Sequence, residues 1–120
     1  MNDIAVKARD ALLHRLADIK KRHARTEEEL HKIEAGAELD WHERASTQDD
    51  SEILGRLSQD ERLELDEIDA ALDRIRNQTF GQCETCGRRV GRQRLRALPE
   101  TRYCIECAEE AARAARKQQA

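Results

Sequence analysis

Aromatic side chains are almost missing from this sequence: one tryptophan, one tyrosine and one phenylalanine in 120 residues. With so little bulky apolar material, a compact sphere around a large core is not the expected shape. The chain also lacks any apolar run near the roughly 20 residues that span a bilayer. Its first residues show neither a cleavable apolar stretch nor an Arg-rich, acid-poor transit pattern. A soluble cytoplasmic protein with no membrane partner is therefore expected. Cysteine is absent from the first 82 residues, and all four cysteines fall between positions 83 and 107. That clustering is unlike the scattered framework of a secreted disulfide scaffold and fits a reducing compartment.

What remains is charge. Charged residues make up 39% of the chain, apolar residues 38%, and there is one proline; the mean hydropathy is -0.91. Such a chain is either disordered or built from long amphipathic helices, and periodicity separates the two. The net charge of -3 hides an asymmetry: residues 1–82 carry 13 Lys plus Arg against 20 Asp plus Glu, whereas residues 83–120 carry 9 against 5. The two halves are expected to face different partners.

Apolar residues recur in steps of three and four at Leu12, Leu16 and Ile19, then, past the polar His23 and Thr26, at Leu30, Ile33 and Ala37. This is a heptad seam on a helix running from about Asp3 to Glu34. Lys20, Lys21, Arg22, Glu27, Glu28 and Glu29 fall mostly off the stripe and read as its solvated face. A second stretch, from about Thr47 to Asn77, repeats the pattern at Leu54, Leu65, Ile68, Leu72 and Ile75, with Asp49 and Asp50 suited to the dipole of its first turn. Reversal between Gly36 and Ser46 gives an antiparallel hairpin. One register, in which paired numbers sum to 84, matches Leu12 with Leu72, Leu16 with Ile68, Ile19 with Leu65 and Leu30 with Leu54. It also sets His23 against Glu61 and Thr26 against Ser58, so the polar interruptions coincide and no polar group is buried against a leucine. A His23–Glu61 contact is predicted, with a structural, register-fixing role. Arms of roughly 30 residues would reach about 45 Å, a probe-shaped hairpin over residues 1–79 with its tip at about 38–46.

Residues 80–120 form the second unit, a metal finger followed by a helix from Cys104 to about Lys117. Cys83-Glu84-Thr85-Cys86 and Cys104-Ile105-Glu106-Cys107 are two CxxC knuckles separated by 17 residues, the spacing by which four thiolates close a tetrahedral zinc site. Gly87 permits close backbone approach after the second ligand. Four protein ligands leave no position for an activated water, which argues for structural Zn2+ over a redox pair or an iron site, and against an enzyme. His14, His31 and His42 lack metal-ligand spacing and read as solvated residues. Between the knuckles Arg88, Arg89, Arg92, Arg94, Arg96 and Arg102 stand against a single acid, Glu100. This patch suits phosphates or an acidic protein surface; no aromatic precedes Tyr103 to stack on bases, so the protein surface is preferred and direct DNA binding is not expected.

Phe80-Gly81-Gln82-Cys83-Glu84-Thr85-Cys86-Gly87, then Gly91, Arg94-Leu95-Arg96-Ala97-Leu98-Pro99 and Cys104-Ile105-Glu106-Cys107, closely resemble the zinc finger of the DksA/TraR family. Asp40-Trp41-His42-Glu43-Arg44-Ala45 resembles the family's Asp-x-x-Asp-x-Ala tip motif. The resemblance implies a monomeric regulator whose hairpin enters the secondary channel of bacterial RNA polymerase and alters promoter-complex stability, with Asp40, Glu43 and Ala45 as the active tip and the arginines helping to dock the finger. Glu43 stands where the family typically has a second aspartate. At the positions where the family binds the alarmone ppGpp this chain has Asp60, Glu64, Glu67, Leu98 and Ala108, so little dependence on ppGpp is expected. The chain begins almost at the first arm, like the shorter members. The rival reading is a zinc-ribbon nucleic-acid binder with the coiled coil as a dimerisation rod. A third is an oxidant-responsive zinc switch.

Overall fold

The computed structural model describes residues 3–35 and 48–119. It is mainly α, and among the described residues there is no strand beyond an isolated antiparallel bridge between Gln82 and Arg89. Among the described residues six helices follow one another: α1 (Asp3–His23), α2 (Glu27–Ala35), α3 (Gln48–Arg56), α4 (Gln59–Arg76), α5 (Arg92–Ala97) and α6 (Ile105–Gln119). No helix among the described residues is long and apolar enough to cross a membrane. The expected tip, about 38–46 with Asp40, Glu43 and Ala45, falls within residues 36–47, which lie outside the described residues.

α1 and α4 form an antiparallel hairpin around a seam of Ala8, Leu12, Leu16, Ile19, Leu65, Ile68, Ala71 and Ile75, with Leu12, Ile68 and Ala71 fully buried. The period-3.6 stripe drives this pairing, because burying each large aliphatic side chain stabilises the pair by about 1.5–3 kcal/mol. Ala5 and Ala8 extend the stripe toward the N-terminus. The predicted His23–Glu61 contact is present, with His23 Nε2 2.8 Å from a Glu61 oxygen. Leu72 sits at the margin of the seam and Ala71 takes the fully buried place.

Each expected long helix is in fact two. α1 stops at His23 and α2 starts at Glu27; α3 stops at Arg56 and α4 starts at Gln59. Thr26 and Ser58, read from sequence as polar interruptions of a continuous seam, begin new helices. The Ser58 hydroxyl accepts from Glu61 N at 3.2 Å while the Glu61 carboxylate accepts from Ser58 N at 3.0 Å, a reciprocal capping box. Thr26 Oγ1 likewise accepts from Glu29 N at 3.0 Å, and the Glu29 carboxylate accepts from Arg25 N at 2.9 Å. The restart resets the helical phase. Leu30, expected to pair with Leu54, is 38% exposed, whereas Ile33 and Ile53 are buried.

Two charges assigned to the solvated face, Lys20 and Glu29, are buried as well. Arg56 bridges the joint: its guanidinium donates to both Glu29 oxygens, at 2.8 and 3.2 Å, and to the His23 carbonyl at 2.9 Å. The extents of the described residues are 46 × 40 × 21 Å, and each arm of the hairpin is jointed and not one straight rod.

The joint is acid-sensitive in a calculable direction. The His23 ring and then the Ser58 backbone N–H hold the Glu61 carboxyl down to about 2, from an ordinary 4.5. The unfolded chain takes up this proton first, so the contribution of Glu61 is complete above about 4.5 and is lost as pH falls toward about 2. The difference in thermal midpoint between wild type and Glu61→Gln should be constant near neutrality and shrink through that window. A difference that stays constant on acidification would contradict this account of the joint.

Candidate metal centre and finger

The finger begins where α4 ends. Asn77 caps α4, Gln78 adopts a left-handed φ of 62°, and Thr79 N donates to the Arg74 carbonyl at 2.9 Å, closing a Schellman turn. The chain then folds a small loop. Val90 N donates to the Gly81 carbonyl at 2.7 Å and Cys83 N to the Arg88 carbonyl at 2.8 Å, so Cys83 and Cys86 lie on one tight turn. Gly87 N donates to the Cys83 carbonyl at 3.0 Å. Gly87 has φ +75°, and a Cβ there would meet nothing within 4 Å. Its glycine is thus required by the left-handed backbone and not by crowding, which revises the reason inferred from sequence. Cys104 and Cys107 come from the start of α6, where Ala108 N donates to the Cys104 carbonyl at 2.9 Å.

These turns bring all four thiols together, every sulfur within 4.8 Å of the others. Zinc bonded to sulfur at about 2.3 Å in a tetrahedron sets its sulfurs about 3.8 Å apart. The Cys86 and Cys104 sulfurs are 3.8 Å apart, so the donor set and spacing fit zinc. Backbone N–H groups, first that of Cys86 and then that of Cys104, pull the Cys83 thiol down to about 6. Cys107, facing Cys104 and desolvated, is pushed up to about 12. Four crowded sulfurs cannot share one negative environment without a cation, and a divalent ion supplies the compensating charge. Cys83, Cys86, Cys104 and Cys107 are the residues that would hold it. No other grouping of metal-ligating side chains occurs among the described residues, and His14 and His31 are exposed; His42 lies outside them.

Around this centre Cys83, Val90 and Leu95 form a small buried cluster, with Ile4 and Phe80 packed against it. So small a core needs other ties, and arginines supply them. Arg102 donates to Glu67 of α4 at 2.8 Å and reaches Glu84 at 3.4 Å. Arg74 donates to the Glu100 carbonyl at 3.1 Å. Arg15 of α1 donates to Glu64 at 2.9 Å and also binds Glu100. The acidic hairpin and the basic finger, expected to face different partners, therefore partly face each other. Sequence reasoning missed Arg15 and Arg74 here because pairs 26 to 85 residues apart leave no local pattern.

The arginine patch divides into two groups. Arg94 is half-buried and donates to the Tyr103 carbonyl at 3.0 Å, so it braces the loop between the knuckles. Arg88, Arg89, Arg92 and Arg96 are exposed, and none of their side chains has a polar partner among the described residues. α6 carries Arg113, Arg116 and Lys117 and is solvent-exposed along most of its length.

Two family models divide the chain at the same place as the Schellman turn. "Prokaryotic dksA/traR C4-type zinc finger" matches residues 78–113, and "DnaK suppressor protein-like, N-terminal domain" matches residues 9–75. The chain belongs to the DksA/TraR family. A protein of Aquifex aeolicus is 37% identical over 113 residues, covering 92% of this chain and 78% of its own length. The RNA polymerase-binding transcription factor DksA of Escherichia coli K12 is 32% identical over 65 residues, which is 54% of this chain and 43% of that protein. DksA of Haemophilus influenzae gives the same identity, over 45% of its length. The chain thus aligns with less than half of the DksA proteins it matches. No solved structure matches it. The zinc of this C4 family finger is the cofactor that the cysteine geometry fits.

Proposed function

We propose that this protein is a non-enzymatic transcription regulator that binds bacterial RNA polymerase, with the hairpin of residues 1–79 inserted through the secondary channel and the finger and α6 of residues 80–120 resting on the rim. The carrying observation is the bracing of the finger onto the hairpin base by Arg15 through Glu100, by Arg74 through the Glu100 carbonyl and by Arg102 through Glu67. It makes the zinc finger a handle fixed to the hairpin at the end where α1 begins and α4 finishes. The names of the DksA relatives support the partner. The hairpin seam is satisfied within one chain, which suits a monomer and not a dimerisation rod. Four thiolates would fill the zinc coordination sphere and leave no position for a reacting water. Asp40, Glu43 and Ala45 are assigned to the tip, with two carboxylates to act on basic or metal-proximal groups near the polymerase centre. Arg88, Arg89, Arg92 and Arg96 are assigned to the docking face.

Little coupling to ppGpp is part of the same reading, with its reason altered. Glu64 and Glu67, two of the carboxylates at the family's alarmone positions, are already paired with Arg15 and Arg102. Repulsion of an anion is therefore smaller than bare carboxylates would give. The nearby arginines are engaged in those pairs and are not offered to a new phosphate.

Transcription by purified polymerase tests this. Wild type should destabilise or restructure promoter complexes, and Asp40→Asn should reduce the effect about tenfold or more while polymerase binding persists. Added ppGpp should change the wild-type effect less than about twofold. Equal activity of Asp40→Asn would remove the tip mechanism, and strong synergy would remove the alarmone independence.

A further inference from the structure

A cleft of about 480 Å³ opens between the finger and the base of the hairpin. Its lining is more polar than apolar: Gln78, Gln82, Arg89 and Arg92 contribute polar groups, and Ile4, Phe80 and the largely buried Val90 and Leu95 supply a smaller apolar part. Gly81 keeps that part closed: its φ is +86°, and a Cβ there would come within 3.3 Å of Leu95 Cδ1.

Three observations set this cleft apart from a surface groove. No carboxylate lines it, although the chain carries 25 acidic against 22 basic residues. The guanidinium groups of Arg89 and Arg92 have no hydrogen-bonding or ionic partner among the described residues. The arginines of the adjoining joint, Arg15, Arg74, Arg94 and Arg102, are all held by carboxylates, a hydroxyl or carbonyls. Gln78 occupies the left-handed position of the Schellman turn, where glycine sits without strain, and it is the one non-glycine residue with positive φ among those described. A side chain held in the left-handed region on the lining of a cleft is the kind of outlier that accompanies binding.

We propose that the cleft binds a phosphorylated small molecule with a planar or apolar body, of mononucleotide size. Arg89 and Arg92 supply guanidinium donors for the phosphate, and Gln78 and Gln82 supply amides for further polar groups. Phe80 and the aliphatic part of the lining cover the body. The volume falls in the range of about 300–1,000 Å³ occupied by small-molecule sites. Asp60, Glu64, Glu67, Leu98 and Ala108, the positions where the family resemblance places its alarmone, are not part of this lining. Arg89 and Arg92 are also part of the proposed docking face, so the test is run without polymerase, where ligand binding alone can move their amides.

Titration of the zinc-loaded full chain with AMP, GMP, guanosine and inorganic phosphate, followed by amide NMR shifts and calorimetry, decides it. The mononucleotides should shift the amides of Gly81, Gly87, Arg89 and Arg92, and bind at least about tenfold more tightly than phosphate or nucleoside alone. The double variant Arg89→Ala, Arg92→Ala should weaken this about tenfold or more with zinc content unchanged. Gln78→Gly should weaken binding severalfold while raising the thermal midpoint, since strain is relieved and a ligand contact is lost. Absence of shifts in the cleft overturns the proposal, as does binding untouched by the double variant. Phosphate binding as tightly as the mononucleotides overturns it too, by reducing the site to non-specific anion attraction. If Gln78→Gly is more stable and binds as wild type, the role given to Gln78 is wrong.

Discussion

Cys83→Ser is expected to unfold the finger and leave the α1–α4 seam standing. Cys83 is the buried member of the four ligands and sits in the finger's small core with Val90 and Leu95. Its loss removes both a ligand and a core side chain, and apparent zinc affinity should fall by more than about a hundredfold. Without the ion, little remains to order the loop: the cluster has three buried residues, far below what an independent core needs. α6 should fray as well, because Cys104 and Cys107 anchor its start and most of its length is exposed. The hairpin seam is a separate buried cluster, with Leu12, Ile19 and Ile68 at its centre. Native mass spectrometry should show loss of one zinc. Circular dichroism should show a deficit near the 15 residues of α6, and amide exchange should stay slow in residues 3–23 and 59–76. Chelation of the wild type should reproduce the pattern. If the hairpin melts too, then Arg15, Arg74 and Arg102 have made finger and hairpin one cooperative unit. A finger that keeps zinc and exchange protection would overturn the site.

The contrast between those two units was legible in the sequence to different depths. Two CxxC pairs carry their meaning in spacing alone, because a thiolate tetrahedron needs turns of that size. The seam was legible through its steps of three and four, and the register set His23 against Glu61 as the structure has it, although at the other end Ala71 and not Leu72 takes the fully buried place. The register fails just beyond the joint, at Leu30, because each three- or four-residue step was read as one continuous helix. The correcting signal was present: Thr26-x-x-Glu29 and Ser58-x-x-Glu61 are both capping-box sequences, which mark starts and not mere polar interruptions. Arg94 shows the other limit. Nothing local separates it from Arg88, Arg89, Arg92 and Arg96; what distinguishes it is the Tyr103 carbonyl, placed there by the fold. The ion pairs that fasten finger to hairpin were invisible for the same reason. The tip residues Asp40, Glu43 and Ala45 rest on sequence resemblance, being outside the described residues.

Arg56→Ala is expected to loosen the far half of the hairpin selectively. Arg56 is the side chain that touches three sides of the double break: the His23 carbonyl at the end of α1, the Glu29 carboxylate in the first turn of α2, and its own helix α3 through Glu52 at 3.9 Å. Glu29 is buried, and its carboxyl is held below the usual range first by Arg56 and then by the Arg25 backbone N–H. Truncation would leave that carboxylate facing a single N–H in a dry setting, and the His23 carbonyl would lose a donor. Amide exchange in residues 27–35 and 48–56 should accelerate about 10- to 100-fold, with residues 3–23 and 59–76 changed much less, because most of their seam lies away from the joint, which touches it at Leu57 and Leu54. Arg56→Lys should recover only part of the protection, since an ammonium cannot span two carboxylate oxygens and a carbonyl as the planar fork does. Uniform acceleration along both arms, or none, would show that the joint is not where the hairpin's rigidity is set. The segments flanking the joint on its far side lead directly into residues 36–47. If those residues act inside the polymerase channel as proposed, Arg56→Ala should bind polymerase through an intact finger yet lose regulatory effect, separating docking from tip placement in one variant.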